Sequence, residues 1–513
     1  MKTELGKVYL IGAGPGDPGL LTLKGKACIE MADVVVYDYL AAPALLNFAR
    51  PDAEIIYVGK KGGDHTLSQD KINDLLADKG AQGLIVARLK GGDPFIFGRG
   101  GEEAEVLISR GIPFEIVPGV TSAIAAPAYA GIPLTHREHA SSVSLVTGHE
   151  DPLKNESSIR WDTLAQSGAT LVFLMGVKNL VSIRDNLIKH GKSPDTPVAL
   201  VRWGTTPRQE TVTGTLTTIV GNVEKARLKP PAVIVVGSVV TLRDTMQWFE
   251  NRPLFGKTIV VTRARNQASD LVSRLTALGA DCIELPTIAI APPDNNKPLV
   301  QAIQDIASFQ WLVFTSVNGV KFFFDTLFEL KKDVRALGHL KFACIGPVTR
   351  QELLKYGIST DILPDNYMAE SVVQAFSGQD VQGKRILLPR AREARTVLPE
   401  ELTAMGALVH EVTAYKTVQV EDGRDRIVHL LENKHIHAVT FTSSSTVKNF
   451  MNLIGADQFS RLMNGVTTAC IGPITAETLS RLGTTPDITA ETFTIPGLVQ
   501  AMTDFFAAGR TRQ

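Results

Sequence analysis

The sequence predicts an α/β protein with several domains, and three observations lead to this prediction. Short aliphatic and β-branched runs alternate with glycine-bounded helical patterns along the whole chain, which is typical of mostly parallel sheets. A segment with three aromatic residues, a proline and a glycine interrupts this pattern at 248–256. The second half also repeats its own motifs at a nearly constant interval. A length of 513 residues allows three or four ordinary domains, or two unusually large ones.

Nine short runs are expected to form strands, because each is aliphatic or β-branched and lies between turn-forming residues. Five precede the interruption and four follow it, so both halves should share the same class of fold. The runs are Val8–Ile11, Val34–Tyr37, Leu84–Leu89, Val143–Thr147, Leu171–Met175, Ile259–Thr262, Leu312–Phe314, Ile386–Leu388 and Val439–Phe441.

The composition excludes several classes of protein. The chain has 53 Lys and Arg against 53 Asp and Glu. A formal charge of zero argues against a whole-chain nucleic-acid binder, since affinity for phosphates depends on excess positive charge. The N-terminus lacks an apolar signal segment, and no apolar run approaches the roughly 18–20 residues that span a bilayer. We therefore expect a cytoplasmic protein with no nucleic-acid or membrane partner.

The placement of cysteine and histidine argues against a metal centre. No two of the four cysteines have CxxC spacing, which is typical of reduced thiols in a cytosolic enzyme. Two close histidine pairs, His136 with His139 and His435 with His437, lack a convincing third ligand. We therefore predict no metal. The cysteines are Cys28, Cys282, Cys344 and Cys470.

Motifs of the second half recur after 127 or 126 residues, which indicates two similar lobes. Phe314-Thr315-Ser316 recurs as Phe441-Thr442-Ser443, and Cys344–Thr349 recurs as Cys470–Thr475. Thr-Ser after a strand suits a helix N-cap, and Gly-Pro-x-Thr after another strand leaves backbone N–H groups free to meet an anion. The duplication favours an anionic ligand held between the lobes. Ordinary strand-to-helix turns, or a bilobed binding protein without catalytic activity, would give the same pattern.

The first predicted strand runs into a glycine-rich loop, Gly12–Gly19, in which small residues would let a ligand approach the backbone. The loop resembles a dinucleotide-binding G-x-G-x-x-G motif, but Asp17 replaces the third glycine. Pro15 and Pro18 also disfavour a helix that starts inside the loop. Asp38 follows the second strand at roughly the distance of a ribose-binding carboxylate. An NAD-type oxidoreductase therefore stays open as an alternative.

Further loops of the first half follow strands and combine glycine with polar or charged residues. In this order, the motifs resemble the uroporphyrinogen-III C-methyltransferases, within the wider tetrapyrrole (class III) methyltransferase family. The match extends from about Lys7 to Arg243, and one departure is Tyr39, where the family more often has Arg. The matching segments are Gly12–Gly19, Val36–Asp38, Val58–Lys60, Arg88–Glu103, Pro118–Arg137, Val146–His149 and Pro231–Gly237.

This resemblance implies a fold of two α/β lobes with S-adenosylmethionine bound in the cleft between them. It also implies methyl transfer to C2 and C7 of uroporphyrinogen III, which gives precorrin-2, and a homodimer formed through this half. The implied cofactor-binding residues are Pro15, Gly91, Gly92, Asp93, Ile96, Thr121, Ser122, Met175 and Gly204.

Methylation of a pyrrole carbon needs in-line positioning of the reactants and the loss or redistribution of a proton. By the resemblance, Asp38 is the candidate base and Lys60 the candidate acid. Arg99 with Glu102 is the candidate pair that grips substrate carboxylates and handles protons, since Arg binds carboxylates bidentately. Taken alone, Asp38 and Lys60 would equally fit a solvated aspartate at a strand end and a surface lysine.

Residues from about Lys257 to Phe506 resemble uroporphyrinogen-III synthase, through the repeated motifs, Pro389–Arg392 and Ala414–Thr417. That family cyclises hydroxymethylbilane to uroporphyrinogen III, the substrate of the methyltransferase. The resemblance implies two lobes joined by two strands, with mainly parallel sheets. The implied division is 1–247 for the methyltransferase, 248–256 for a linker and 257–513 for the synthase, whose lobes are 257–286 with 416–513, and 287–415.

By this resemblance, Tyr415 is the candidate for assisting departure of the substrate hydroxyl, and a phenol can donate a hydrogen bond without being ionised. A junction tyrosine that only packs its ring is the alternative. Together the two resemblances predict a bifunctional enzyme that makes precorrin-2 for sirohaem or cobalamin. No segment resembles the NAD-dependent dehydrogenase and ferrochelatase module of sirohaem synthases, so we expect the chemistry to stop there. For Arg263 and Arg390, surface ion pairs are the alternative to binding substrate. The candidate substrate-binding residues are Arg263, Ser316, Thr349, Arg390, Ser443 and Thr475.

Overall fold

Four five-stranded sheets with helices between their strands form the described part of the protein, which confirms the α/β class. The chain divides into two compact units, Met1–Ile259 with Ser273–Cys282 and Met502–Gln513, and Val260–Val272 with Ile283–Ala501. Within the described residues, no helix is both long enough and apolar enough to cross a membrane. The computed structural model describes residues 5–59, 67–149, 158–262, 265–364, 368–392, 394, 396–419 and 423–510.

The first half of the chain contributes two of these sheets. Its strands are β1 (Lys7–Gly12), β2 (Val34–Tyr37), β3 (Glu54–Tyr57), β4 (Ile85–Lys90), β5 (Phe114–Val117), β6 (Val143–Thr147), β7 (Thr170–Leu174), β8 (Pro197–Arg202), β9 (Glu210–Thr215) and β10 (Ala232–Val236). Its helices are α1 (Leu23–Met31), α2 (Gln69–Ala81), α3 (Gly100–Ser109), α4 (Ser122–Tyr129), α5 (Trp161–Gln166), α6 (Leu180–Lys189), α7 (Ile219–Ala226) and α8 (Arg243–Met246).

The first sheet has the order β3-β2-β4-β1-β5, and all of its neighbouring strands are parallel, as predicted. Its strands are rich in valine, isoleucine and leucine because helices cover both faces of a parallel sheet. The carboxyl ends of its strands meet at one edge. The glycine loops that follow β1, β4 and β5, and Asp38 after β2, therefore gather at that edge.

The second sheet has the order β6-β7-β10-β8-β9, and the expectation of a mostly parallel sheet is wrong here. Only β6 and β7 run parallel, whereas β10 is antiparallel to β7 and β8, and β9 is antiparallel to β8. The connection from β8 to β9 is only 203–209, and such a short connection joins antiparallel neighbours. Of these five strands the sequence predicts β6 and β7, and it predicts neither the other three strands nor the reversal.

The second half contributes the other two sheets. Its strands are β11 (Thr258–Val261), β12 (Asp281–Glu284), β13 (Ile288–Ala291), β14 (Trp311–Phe314), β15 (Lys341–Cys344), β16 (Arg385–Ala391), β17 (Leu408–Gln419), β18 (Ala438–Phe441), β19 (Thr467–Cys470) and β20 (Ile488–Thr489). Its helices are α9 (Arg265–Ala277), α10 (Lys297–Gln304), α11 (Val317–Glu329), α12 (Pro347–Leu354), α13 (Ala369–Phe376), α14 (Val397–Ala404), α15 (Arg424–Glu432), α16 (Ser444–Ile454), α17 (Phe459–Met463), α18 (Pro473–Arg481) and α19 (Ile495–Arg510).

These sheets have the orders β12-β11-β18-β19-β20 and β13-β17-β16-β14-β15. Strands β18, β19 and β20 are parallel, as are β15, β14, β16 and β17, while β13 is antiparallel to β17. Each sheet thus contains the same strand–helix–strand–helix pattern that the internal repeat predicts.

The repeated turns are helix starts, as the sequence predicts. Ser316 and Ser443 are the N-caps of α11 and α16, and the oxygen of each side chain accepts a backbone N–H in the first turn. Gly346 and Gly472 are the N-caps of α12 and α18, each followed by proline at the first helical position.

The segment 248–256 packs within the first unit. The indole N–H of Trp248 donates to the backbone oxygen of Ala128 at 2.9 Å, and Phe249 is buried. Arg243 forms an ion pair with Glu250 at 2.5 Å. These contacts hold the segment against its own half of the chain.

Candidate active sites

A cavity of about 400 Å³ lies within the first unit. Glycine, proline and aliphatic residues dominate its lining, with polar atoms from Ser122, His149, Lys178 and Trp203. An apolar cavity of this size with a few polar groups is typical of a small-molecule site.

Glycine loops after three strands of the first sheet come into backbone contact beside this cavity. The N–H of Gly14 donates to the oxygen of Gly92 at 3.2 Å, and the N–H of Gly92 donates to the oxygen of Gly14 at 2.7 Å. Both residues have positive φ, which strains any larger residue. A Cβ added to Gly12 would lie 2.4 Å from the Cα of Gly119. The glycines are therefore needed for the loops to converge.

Strained backbone is found in the wall of the cavity. Met175 and Trp203 line it with φ of 59° and 48°, a region that costs a non-glycine residue about 1–3 kcal/mol. Beside them, a Cβ on Gly204 would lie 2.3 Å from the Cβ of Ala126. Such strain persists only where the surrounding structure enforces it, which is most common at functional sites.

Six of the nine predicted cofactor-binding residues line the cavity, and three lie elsewhere. Asp93 joins two loops, because its carboxylate accepts the N–H groups of Phe95 at 2.8 Å and Gly119 at 2.9 Å. Thr121 is the N-cap of α4, and Ile96 is partly exposed in the loop before α3. The six in the lining are Pro15, Gly91, Gly92, Ser122, Met175 and Gly204.

Sequence reasoning missed much of the cavity wall. His149 and Trp203 belong to motifs that carry the resemblance or lie beside Gly204, so those motifs could have indicated them. Ala232 and Val233 of β10 also lie in a segment that carries the resemblance, whereas Val201 of β8 gave no signal, because valine in a strand has the same pattern whether it faces a core or a ligand. The missed residues are Gly14, Leu40, Ala126, His149, Leu174, Val177, Lys178, Val201, Trp203, Pro230, Pro231, Ala232 and Val233.

The candidate base Asp38 lies directly after β2 and is held at both carboxylate oxygens. Its Oδ1 accepts the N–H of Leu40 at 3.0 Å, and its Oδ2 accepts Nη2 of Arg88 at 3.0 Å. The side chain is about a quarter exposed, at 26%. The candidate acid Lys60 lies outside the described residues.

Behind Asp38 lies a buried group of charges that the sequence analysis left without a role. Arg88 and Lys90 of β4 and Glu103 of α3 are all buried. Oε1 of Glu103 accepts Nζ of Lys90 at 2.6 Å and Nε of Arg88 at 3.4 Å. Burial and the nearby positive charge of Arg88 lower the pKa of Lys90.

Arg99 and Glu102 lie together, as the sequence analysis predicts. Arg99 donates two hydrogen bonds to the carboxylate of Glu102, at 2.8 and 2.6 Å, and both side chains are about half exposed. The hydrogen bond from Arg99 lowers the pKa of Glu102. Glu102 is therefore an anion at neutral pH, and the pair presents a guanidinium that already has a partner.

In the second unit Tyr415 forms a hydroxyl pair with Ser316. Tyr415 lies in β17, is almost buried, and its Oη lies 2.9 Å from Oγ of Ser316. Oγ of Ser316 also accepts the N–H of Gly319 at 3.0 Å. The ring of Tyr415 stacks on Phe322, with centroids 5.9 Å apart. The structure thus joins two predicted site residues at the start of α11.

The threonines of the two Gly-Pro-x-Thr turns are buried, each at 4% exposure. The residues before them, Val348 and Ile474, are exposed at 66% and 75%. Because the first N–H groups of a helix lack intrahelical partners, an anion at these turns would meet backbone donors rather than the hydroxyls of Thr349 and Thr475. Sequence reasoning did not identify the exposed apolar pair.

Two further predicted substrate residues already have partners. Ser443 accepts the N–H of Thr446, and its Oγ lies 2.9 Å from Oγ of Ser445. Arg390 is buried and forms an ion pair with Glu411 at 2.9 Å. Arg263 lies outside the described residues.

One partly buried cluster has groups that could hold a metal ion. The ligand atoms of His136, Glu138 and His139 lie within 4.8 Å of one another, so the carboxylate adds a third group to the predicted histidine pair. The N–H of Glu138 donates to Nδ1 of His136 at 3.2 Å. The expected absence of a metal stays a prediction.

Two protein families match the chain, one in each half. The model of the tetrapyrrole (corrin/porphyrin) methylases matches residues 7–220. The model of uroporphyrinogen-III synthase HemD matches residues 269–500.

Individual relatives extend these matches. A porphyrin biosynthesis protein HemD of Ruminiclostridium josui is 37% identical over 474 residues, which are 92% of this chain and 93% of that protein. An S-adenosyl-L-methionine-dependent uroporphyrinogen III methyltransferase of Methanosarcina barkeri is 55% identical over 48% of this chain and 96% of its own length. A solved uroporphyrin-III C-methyl transferase of Thermus thermophilus, complexed with S-adenyl homocysteine, is 40% identical over 46% of this chain and 100% of its own, with a TM-score of 0.40.

Proposed function

The chain belongs to the family of porphyrin biosynthesis proteins that join a tetrapyrrole methylase to a uroporphyrinogen-III synthase, and from this premise we propose the reaction of each half. The first half methylates C2 and C7 of uroporphyrinogen III with S-adenosylmethionine, and the product is precorrin-2. The second half makes that uroporphyrinogen III from hydroxymethylbilane.

The observation that carries the methyltransferase proposal is the cavity of the first unit. Its volume of about 400 Å³ and its apolar wall suit an adenosine group and a methionine chain. The three polar side chains Ser122, His149 and Lys178, with backbone groups of the Gly14 and Gly92 loops, would hold the polar ends. When bound there, S-adenosylmethionine supplies an electrophilic methyl group to the attacking pyrrole carbon.

The proton steps of methylation fall to Asp38 in this proposal. A pyrrole carbon that gains a methyl group must lose or redistribute a proton, and a carboxylate fixed at both oxygens can accept it in a defined direction. Arg99 at the edge of the same sheet would bind carboxylates of the substrate, in exchange with its hydrogen bonds to Glu102.

The NAD-type oxidoreductase considered for the first half is excluded by family membership, and the loop geometry gives the reason. Helix α1 begins only at Leu23, and in the single 3-10 turn before it, Pro18–Leu20, the N–H of Gly19 donates to Oδ1 of Asp17 rather than being free for a pyrophosphate. Asp38 is already bound by Arg88 rather than free for a ribose. A non-catalytic second half is likewise not supported, since this half belongs to a family of synthases.

For cyclisation, we assign the hydroxyl pair of Tyr415 and Ser316 to the departure of the substrate hydroxyl. The C–O bond of the hydroxymethyl group breaks, and the phenol donates a hydrogen bond to the oxygen as it leaves. Backbone N–H groups at the starts of α12 and α18 would bind carboxylates and hold the curled chain.

The same family membership supports proposals about domain bounds, dimerisation, location and partners. Residues 1–247 form the methyltransferase, 257–513 form the synthase with lobes 257–286 plus 416–513 and 287–415, and the first half dimerises. The enzyme acts in the cytoplasm on tetrapyrroles, without nucleic acid or a metal, and its product serves sirohaem or cobalamin synthesis.

Two assays test the proposal. Uroporphyrinogen III with S-adenosylmethionine labelled with ¹³C at the methyl group should give two labelled methyl signals, assigned to C2 and C7. Hydroxymethylbilane alone should give the type III isomer, whereas spontaneous closure gives type I. Methyl signals at other carbons would overturn the proposed product, and type I alone would overturn the proposed synthase.

A further inference from the structure

We propose that the buried pair Lys90 and Glu103 is a positioning device that sets both the orientation and the charge environment of Asp38. This inference rests on the proposed role of Asp38 as the base. Glu103 is not one of the residues that line the cavity, and Arg88 links it to Asp38 by hydrogen bonds to both carboxylates.

The guanidinium of Arg88 links Glu103 to Asp38. Arg88 and Lys90 are two residues apart on β4, so their side chains leave the same face of the sheet. The guanidinium of Arg88 donates to Oε1 of Glu103 at 3.4 Å, to the backbone oxygen of Leu89 at 2.9 Å and to Oδ2 of Asp38 at 3.0 Å. Because the guanidinium is planar and rigid, fixing two of its edges fixes the third. The position of Glu103 therefore determines the direction of the lone pairs of Asp38.

The charges of this cluster, which also includes Asp38, balance one another. Arg88 and Lys90 are formally positive, and Glu103 and Asp38 are formally negative, so the four groups sum to zero. Three of them are almost fully buried, with side-chain exposures of 3%, 5% and 0% for Arg88, Lys90 and Glu103. Charges interact strongly at such depth, since little water screens them. Removing one member therefore leaves an uncompensated charge within reach of Asp38.

Stability alone does not account for this cluster of buried charges. Replacing a buried ion pair by packed apolar residues is often neutral or stabilising. Oε1 of Glu103 receives three donors, the third being Nε2 of Gln69 at 3.2 Å, while Oε2 has no partner among the described residues. An arrangement built for stability would satisfy both oxygens. The crowding of donors on the oxygen that faces Arg88 instead fits a positioning role.

Other titratable groups lie near Asp38, and apart from Lys90 and Glu103 themselves they stay constant in the test. Tyr57 of β3 is electrostatically coupled to Asp38, and burial raises its pKa. The Arg99–Glu102 pair lies close enough for Lys90 to contribute to the lowered pKa of Glu102. The neighbouring groups are Tyr37, Tyr39, Tyr57, Arg88, Lys90, Arg99, Glu102 and Glu103.

The experiment follows the single-turnover rate of methyl transfer against pH, at saturating uroporphyrinogen III and S-adenosylmethionine. The acid limb reports protonation of the base in the complex. Lys90→Met removes a positive charge that favours the anionic form of the base, so the limb should move to higher pH by about one unit. Glu103→Gln should move it in the opposite direction, and the double variant should return it close to its original position. Glu103→Asp keeps the charge and should leave the limb in place, even where it lowers the rate or the melting temperature.

Two controls separate the possible failures. Glu115 lies on β5 of the same sheet, and its carboxylate pairs with Lys7 and Lys24. Glu115→Gln removes that carboxylate and should leave the limb unchanged.

Asp38→Asn should abolish the limb while binding of S-adenosylhomocysteine persists. If Asp38→Asn leaves the limb in place, Asp38 is not the base and this inference falls with that role. If it abolishes the limb but Lys90→Met and Glu103→Gln leave it unmoved, the positioning device is refuted and the role of Asp38 stands. Should Lys90→Met or Glu103→Gln fail to fold, the other single variant decides the matter, since a purely structural role would leave its limb where Glu115→Gln leaves it.

Discussion

The candidate site of the first unit and that of the second are built in different ways. The first combines a confined cavity, non-glycine residues in left-handed backbone, and a buried group of charges behind Asp38. The second repeats two helix starts in each of two similar sheets, and most of its polar side chains already cap helices or form ion pairs. The first arrangement suits one rigid geometry for a compact ligand. The second suits a long, flexible polycarboxylate held mainly by backbone groups.

The largest expected effect breaks the first site alone. Gly204→Val places side-chain atoms where a single Cβ would already lie 2.3 Å from the Cβ of Ala126. We expect methylation and binding of S-adenosylhomocysteine to be lost, with cyclisation of hydroxymethylbilane unchanged. Gly221→Ala is the matched control, because its Cβ would meet no atom within 4 Å in a helix of the same unit. Retained cofactor binding in Gly204→Val would remove the cavity as the binding site.

Arg99→Ala should reduce methylation by about tenfold, because it removes one charge-assisted contact to the substrate. Such a contact contributes about 1.5–3 kcal/mol, and the lower end applies because Arg99 is partly exposed. Binding of S-adenosylhomocysteine should be nearly unchanged, because Arg99 lies outside the cavity lining. Calorimetry and turnover measured on the same sample would decide the matter. Equal losses of binding and turnover would contradict a role in gripping the substrate.

Tyr415→Phe tests the second site. We expect cyclisation to slow by about tenfold and methylation to be unchanged. This rate loss is smaller than the usual contribution of a general acid, because positioning of the substrate dominates. The phenol hydroxyl is lost, while the ring can keep its stacking on Phe322. Tyr356→Phe is a matched control, since that ring stacks on Phe324 in the same unit. An unchanged cyclisation rate in Tyr415→Phe would reduce Tyr415 to a packing role.

The smallest effect uses the internal repeat as its own control. Ser316→Ala and Ser443→Ala each remove an N-cap oxygen, so each should lower stability by about 1 kcal/mol in denaturant titrations. Only Ser316 also meets the hydroxyl of Tyr415, so only Ser316→Ala should slow cyclisation, by a few-fold. Equal rates in the two variants would show that the pair has no part in the reaction.

The same contrast explains how far the sequence could be interpreted. Nine of the twenty strands in the described residues, the repeat and the serine caps were predictable, because hydrophobic periodicity and capping are local properties. The glycine loops were predictable too, since close backbone approach at Gly12 or Gly204 leaves no room for a side chain. The antiparallel order of the second sheet was not, because strand direction depends on tertiary pairing.

Side-chain orientation was the other limit. Thr349 and Thr475 belong to the right turns, yet the exposed residues there are Val348 and Ile474. Arg88, Lys90 and Glu103 fell within a matched motif, but only the folded sheet shows that they meet behind Asp38. A motif locates a loop, whereas the direction of each side chain depends on neighbours that are distant in sequence.

The most direct test of two consecutive activities in one chain supplies hydroxymethylbilane and labelled S-adenosylmethionine to the intact protein. We expect dimethylated precorrin-2 from the wild type, unmethylated uroporphyrinogen III from Asp38→Asn, and a slowed supply of precorrin-2 from Tyr415→Phe that added uroporphyrinogen III restores. Methylated product only when preformed uroporphyrinogen III is added to the wild type would contradict the proposed function of the second half.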